Sequence, residues 1–318
     1  MRRLPKYARF AGILFLLALV SACATPMQTL GLRVEPPDIP VQVELSSTPF
    51  YPQEDYYCGP AVLAALANYR GIDVVPDDVA PLVFVPDLKG SLQEEVIAAA
   101  RRFDLLPVQL DGNLESIFRE IASGNPVLVL QNLGLDIYPV WHYAIVVGYD
   151  LEDETVVLRS GTRKRLVRPF SLFERTWKRA GYWSLAIVSP GQVPVSVDAK
   201  RFLNTLIEFE QTSGLYPAYQ GYLSAAEKWP SNPLARIGLG NTAYALGEYQ
   251  KSEDAYNDVL RLSPGMAEAW NNLAYALAKQ GKRDESLVAI NNALKISPDN
   301  KNYLDSLSEL SQWSGSSN

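Results

Sequence analysis

The feature that most constrains this chain is a repeat in its C-terminal part. Residues recur there with a period of 34: Leu239 maps to Leu273, Gly247 to Gly281, Ser252 to Ser286, Leu262 to Ile296, and Ser263-Pro264 to Ser297-Pro298. Within a unit, Trp270, Leu273, Ala274 and Leu277 fall at helical spacing, and so do Leu287, Ile290, Ala293 and Leu294. Two short amphipathic helices cannot bury such stripes alone, so neighbouring units must stack. The C-terminal part is therefore read as an all-α solenoid.

These units, 231–264 and 265–298, resemble tetratricopeptide repeats. A degenerate copy is read at 197–230, where Pro230 falls one period upstream of Pro264. There Leu203 aligns with Ile237 and Tyr222 with Tyr256, while Thr205 replaces the leucine and Ser213 the glycine. Residues 299–312 would cap the array, so that repeats and cap occupy 197–318. The resemblance implies a concave face that binds a protein partner.

At the other end, Arg2, Arg3, Lys6 and Arg9 precede an apolar stretch from Phe10 to Val20 and then Ser21, Ala22 and Cys23. This is the order of a secretory signal, and the stretch falls short of the ~20 apolar residues that span a membrane. Val20-Ser21-Ala22-Cys23 resembles the lipobox of bacterial lipoproteins, which implies a signal peptide at 1–22 and lipidation of Cys23; a plain secretory signal is the alternative. Ala24 is not the aspartate that retains such proteins at the inner membrane. The resemblance thus implies the periplasmic face of a Gram-negative outer membrane. Residues 23–44, with Pro26, Pro36, Pro37 and Pro40, read as a tether.

The whole chain carries −6, and without residues 1–22 it would carry −10. Such a balance offers no general grip on phosphate backbones, so nucleic acid is not an expected partner. Two cysteines and one histidine also fall short of the usual ligand set of a structural zinc site, and no cofactor is expected.

Residues 45–190 mix helix and strand signals. Helices are expected at 58–69 with a stop at Gly71, from a Ser91 cap through Arg102, at 113–123, and at 171–179. Strands are expected at 127–130, 143–147, 155–158 and 184–188. Helices followed by strands give an α+β layout.

Three residues of this region carry possible chemistry. Cys58 precedes Gly59-Pro60 and an alanine-rich helix, so its thiol lies at a helix N-terminus, where partial positive charge favours thiolate over thiol. Gln53 offers an amide donor for an oxyanion. His142, the only histidine, begins the strand HYAIVVGYD and is a candidate general base.

Tyr51-Pro52-Gln53, Cys58-Gly59-Pro60-Ala61 and Trp141-His142-Tyr143-Ala144 resemble the papain-like cysteine peptidases that process bacteriocins after double-glycine leaders. The resemblance implies an α+β papain-like cysteine peptidase domain followed by an all-α tetratricopeptide-repeat solenoid. In it Cys58 would be the nucleophile, His142 the base and Gln53 the oxyanion donor, acting on a protein or peptide substrate.

Two departures from that family stand out. A hairpin turn near 151–153 puts His142 opposite about Ser160 to Thr162, where the family carries Asp or Asn, and leaves Asp150 at the far end. Ser160 can hold the imidazole but brings no charge, and the Gln53 to Cys58 spacing is one residue short. A binding scaffold without catalysis, or an acyl transferase, is the alternative reading. Arg159, Arg163, Lys164, Arg165 and Arg168 form a basic run, read either as a solvated face or as a grip on an acidic substrate segment. Trp141 and Tyr143 are read as core or cleft wall.

Overall fold

The structure is a computed structural model of the 318-residue chain, and it describes residues 25–52, 57–88 and 90–313. Its centre is a seven-stranded antiparallel sheet. In chain order the strands are β1 (Gln42–Glu44), β4 (Leu106–Gln109), β5 (Val127–Asn132), β6 (Trp141–Asp150), β7 (Thr155–Ser160), β8 (Arg163–Pro169) and β9 (Ser184–Val188). A small hairpin, β2 (Phe84–Val85) with β3 (Gly90–Ser91), stands apart.

The sheet runs β4-β9-β5-β6-β7-β8, and β1 joins β6 beside Gly148 to Asp150, beyond the stretch that pairs with β5. Gly148 is needed for this join. A Cβ there would sit 2.7 Å from the Val43 carbonyl oxygen, too close for any side chain.

Strand alternation sends side chains into two cores. Leu128, Tyr143, Ile145, Val147, Leu185 and Ile187 pack against the helices Cys58–Tyr69, Pro76–Val83 and Gln93–Arg102. Val127, Val129, Ala144, Val146, Ala186 and Val188 face the helices Leu114–Ala122 and Phe170–Lys178. Strands buried on both faces read as continuous apolar runs, which is why β5 and β9 are legible without alternation.

The second core does not end with the sheet. Phe202, Leu206, Phe209, Ala218, Tyr222 and Ala225 of the first helix pair, Ala199–Glu210 and Leu215–Lys228, belong to it together with Leu106 and Val108 of β4. Arg101 pairs with Glu208 at 2.6 Å and Arg201 with Asp111 at 2.5 Å across the same joint. The buried Glu120 carboxylate accepts from the Ser196 backbone N–H and hydroxyl at 2.8 and 2.6 Å. Ser213, which stands where the later repeats have glycine, donates to the Arg101 carbonyl at 3.1 Å.

Further helix pairs run Pro233–Ala245 with Tyr249–Leu262 and Ala267–Lys279 with Arg283–Ile296, closed by Lys301–Gln312. Equivalent residues make equivalent bonds: Ser252 donates to the Gly240 carbonyl at 2.9 Å, and Ser286 to the Ala274 carbonyl at 2.7 Å. Gly247 and Gly281 turn the chain at φ +80 and +76, a conformation that favours glycine.

The segment 23–44 is not a free tether over its described part. Residues 27–34 form a helix whose Thr29 donates through its backbone N–H and its hydroxyl to the buried Glu174 carboxylate, at 2.7 and 2.6 Å. Arg33 pairs with Glu154 at 2.5 Å, and the Tyr149 hydroxyl donates to the Pro40 carbonyl at 2.8 Å. The prolines suggested an extended tether, but docking onto the sheet domain supplies partners that local sequence does not reveal. Ser91 also differs from expectation. The helix begins at Gln93 with Leu92 at its cap, and Ser91 lies in β3 instead. Cys23, the signal segment 1–22 and Gln53 lie outside the described residues.

Candidate active site

Cys58 opens the helix Cys58–Tyr69, with Gly59 and Pro60 buried in its first turn. Proline is tolerated there because its missing N–H would have no helical partner. Cys58 packs against the apolar cluster that contains Tyr143, the residue after His142.

His142 is the second residue of β6, pairs across to Gln131 of β5, and is partly buried. Its Nε2 lies 2.8 Å from the Ser160 hydroxyl oxygen at the end of β7. Asp150 stays at the opposite end of the hairpin, where one carboxylate oxygen accepts from the Glu152 and Asp153 backbone N–H groups at 3.0 and 2.9 Å. Thus Cys58 is brought against the cluster that contains Tyr143, and His142 against Ser160.

The electrostatics differ from the expected thiolate. Burial pushes the Cys58 thiol up, and this outweighs the backbone N–H groups of Tyr143, Gly59 and Cys58 itself, which pull it down. Burial also pushes the His142 imidazole below its usual value of 6.5. Both directions favour the uncharged form. Near neutral pH these directions leave Cys58 as thiol and His142 as neutral imidazole.

Two groups near the thiol escaped the sequence reading. The Tyr143 backbone N–H is one; nothing in the residue type signals it. Ser91 is the other: its hydroxyl is buried without a hydrogen-bond partner among the described residues, and a Cβ on Gly59 would collide with it. The Ser91 carbonyl accepts from the Tyr143 hydroxyl at 3.3 Å, so β3 spans from the Cys58 helix to the histidine strand.

The basic run divides. Arg159 is buried, and its guanidinium donates to the carbonyls of Thr48 at 3.3 Å, Ser46 at 3.2 Å and Lys164 at 2.6 Å. It is a brace for the segment leading to Tyr51, not part of a solvated face. Arg163, Lys164 and Arg165 are exposed. Tyr143 is buried, whereas Trp141 is 55% exposed and is no core residue. Among the described residues no group of three or more His, Cys, Asp or Glu is placed to hold a metal ion.

The first domain is C39-like, α+β with an antiparallel sheet, and is followed by helices that match tetratricopeptide repeats. Residues 45–185 match the Peptidase_C39 like family, and residues 218–267 and 237–301 match a tetratricopeptide repeat model. Among solved structures, a C39-like peptidase from Bacillus anthracis is similar with 20% identity and TM-score 0.41, over 46% of this chain and 97% of that one. The first TPR domain of the human RPAP3 protein is similar with 17% identity and TM-score 0.35, over 36% of this chain and 91% of that one. A peroxisomal targeting signal receptor from Kluyveromyces lactis is 32% identical over 78 residues, which is 24% of this chain and only 14% of that protein.

Proposed function

We propose that the protein is a membrane-tethered cysteine peptidase of the periplasm, anchored in the outer membrane by lipid on Cys23, whose repeats recruit the protein substrate. The observation that carries this reading is that a helix-initial thiol, Cys58, packs against the cluster containing Tyr143, next to His142, whose imidazole Nε2 meets the Ser160 hydroxyl.

In this reading the Cys58 sulfur attacks a peptide carbonyl carbon while His142 removes the thiol proton; a C–S bond forms and the carbonyl π pair moves to oxygen. Gln53 and the Cys58 backbone N–H would hold that oxyanion. His142 then returns the proton to the leaving amine as the C–N bond breaks, and water cleaves the thioester. Ser160 orients the ring by accepting from Nε2–H, which leaves Nδ1 as the base. The resemblance of the Cys58 and His142 motifs to leader-processing peptidases supports a short segment of a secreted or envelope protein as the substrate class.

A second reading, a peptidase fold kept as a protein-binding scaffold, is favoured by one observation: the imidazole of His142 meets the neutral Ser160 hydroxyl, and burial pushes it toward its uncharged form. Cleavage of a peptide library by the intact chain, with Cys58→Ala as control, separates the two. Cleavage that disappears in Cys58→Ala supports the peptidase. No cleavage by the wild type, with proteins still captured by the repeats, supports the scaffold.

A further inference from the structure

The loop between β5 and β6, residues 133–140, is a stiff apolar tongue that the proposed chemistry does not use. Leu133, Leu135, Ile137, Tyr138, Val140 and Trp141 are all at least half exposed, with Ile137 at 79% and Tyr138 at 78%. Exposed apolar side chains this dense mark a contact surface more often than a free one.

The tongue is preformed. Leu135 and Tyr138 exchange backbone hydrogen bonds at 3.1 and 3.0 Å, and the Leu133 N–H donates to the Val140 carbonyl at 2.8 Å. The Asn132 side-chain oxygen accepts from the backbone N–H groups of Gly134 and Val140, both at 2.9 Å, and Arg179 donates to the Asn132 carbonyl at 3.0 Å. A ladder of this kind holds the side chains out in water, where a slack loop would fold them away.

Cations flank it on both sides. Lys178 and Arg179 end the helix Phe170–Lys178 at the tongue's base. Arg163 pairs with Ser160, next to His142 at the same end of the sheet, and Lys164 follows. The chain as a whole is acidic at −6, so this basic end is a local concentration of charge.

The N-terminal segment approaches from the same end. The helix 27–34 starts at Glu174 and runs away from the tongue, ending with Arg33 on Glu154 at the opposite turn. Arg179 follows Glu174 by five residues at the end of the helix Phe170–Lys178, an axial rise of about 7.5 Å, so residues 28 and 29 sit on the half of that helix nearer the tongue.

We propose that the β5–β6 tongue is a membrane-contact element that seats the His142 end of the sheet on an anionic lipid surface. Tyr138 and Trp141 suit the headgroup level, where amphipathic rings collect. Arg163, Lys164, Lys178 and Arg179 meet the lipid phosphates. Asp136 sets the depth: the tongue lies in the interface and does not enter the hydrocarbon. This inference rests on the membrane tether of the proposed function. It adds that the tethered domain faces the bilayer with its active end, so substrates would be met at the membrane surface.

The test is hydrogen exchange of the full chain, read by mass spectrometry, with and without vesicles of phosphatidylethanolamine and phosphatidylglycerol in equal parts. Exchange at residues 133–140 should slow several-fold on these vesicles and recover in high salt, while residues 249–296 of the repeats stay unchanged. Ile137→Asp with Tyr138→Asp should remove the effect without altering exchange elsewhere. Unchanged exchange in the tongue on vesicles overturns the proposal, and so does equal slowing without lipid at raised protein concentration, which identifies a second copy as the occupant. Alkylation of Cys58 in the same samples keeps the two ideas apart. His142-dependent labelling beside an unprotected tongue sinks only the membrane contact, and a protected tongue with an inert Cys58 sinks only the peptidase.

Discussion

His142 and Ser160 face each other across the β6–β7 hairpin, with imidazole Nε2 2.8 Å from the hydroxyl oxygen. A neutral hydroxyl orients a ring without stabilising its charge, so Ser160 gives position and leaves the imidazole depressed by burial. Ser160→Ala removes one hydrogen bond, about 1 kcal/mol, and should slow Cys58 alkylation at neutral pH by up to about tenfold. Ser160→Asp adds a charge that favours imidazolium and should speed it. Equal rates in all three would remove Ser160 from the account.

Burial of neutral His142 has a consequence for stability. Its folded-state value lies below 6.5, so the unfolded chain binds the proton first as pH falls. The stability held by the neutral ring is full above 6.5 and is lost as pH falls through the folded-state value. Urea unfolding at successive pH values should show a decline below 6.5 that His142→Gln makes shallower. Parallel curves for the two proteins would contradict it.

Gly59 and Ser91 form a second close pair beside the thiol. A methyl group on Gly59 would occupy the space of the Ser91 side chain, and overpacking of this kind costs about 1–3 kcal/mol. Gly59→Ala should lower the melting temperature and suppress Cys58 labelling. Adding Ser91→Gly opens the space and should restore both in part. A double variant no better than Gly59→Ala would place the damage elsewhere.

The docking of the N-terminal helix depends on Thr29 and Glu174, both buried. Thr29→Val deletes a hydroxyl bond to a carboxylate, a loss of about 1.5–3 kcal/mol. Limited proteolysis should then cut near residues 27–34 while the sheet domain stays intact. Resistance equal to the wild type would mean that other contacts hold this helix.

Much of the architecture was legible in the sequence because its causes are local. The period linking Gly247 to Gly281 and Ser252 to Ser286 reflects turns and bonds made afresh in each unit. The hairpin count that set His142 opposite about Ser160 to Thr162 needed only a turn near 151–153 and antiparallel pairing, and the strands pair Ile145 with Arg159. What escaped depends on distant partners. Thr29 finds Glu174 145 residues away, and Arg159 finds Thr48 111 residues away. Leu106 to Gln109 interleaves Pro107 with apolar residues, and it becomes a strand because β9 offers it an edge. The thiol's preference was misjudged for a related reason: the helix start is visible in Cys58-Gly59-Pro60, but the burial that outweighs it is set by the tertiary fold.

The central claim is that Cys58 and His142 act as one proton-transferring pair that rests neutral. Iodoacetamide labelling of Cys58 across pH, in the wild type and in His142→Ala, tests it most directly. The account predicts a plateau of labelling near neutral pH that depends on His142, then a second rise above the ordinary thiol value of ~8.5. His142→Ala should lose the plateau and keep the rise. Superimposable profiles for the two proteins would contradict the account.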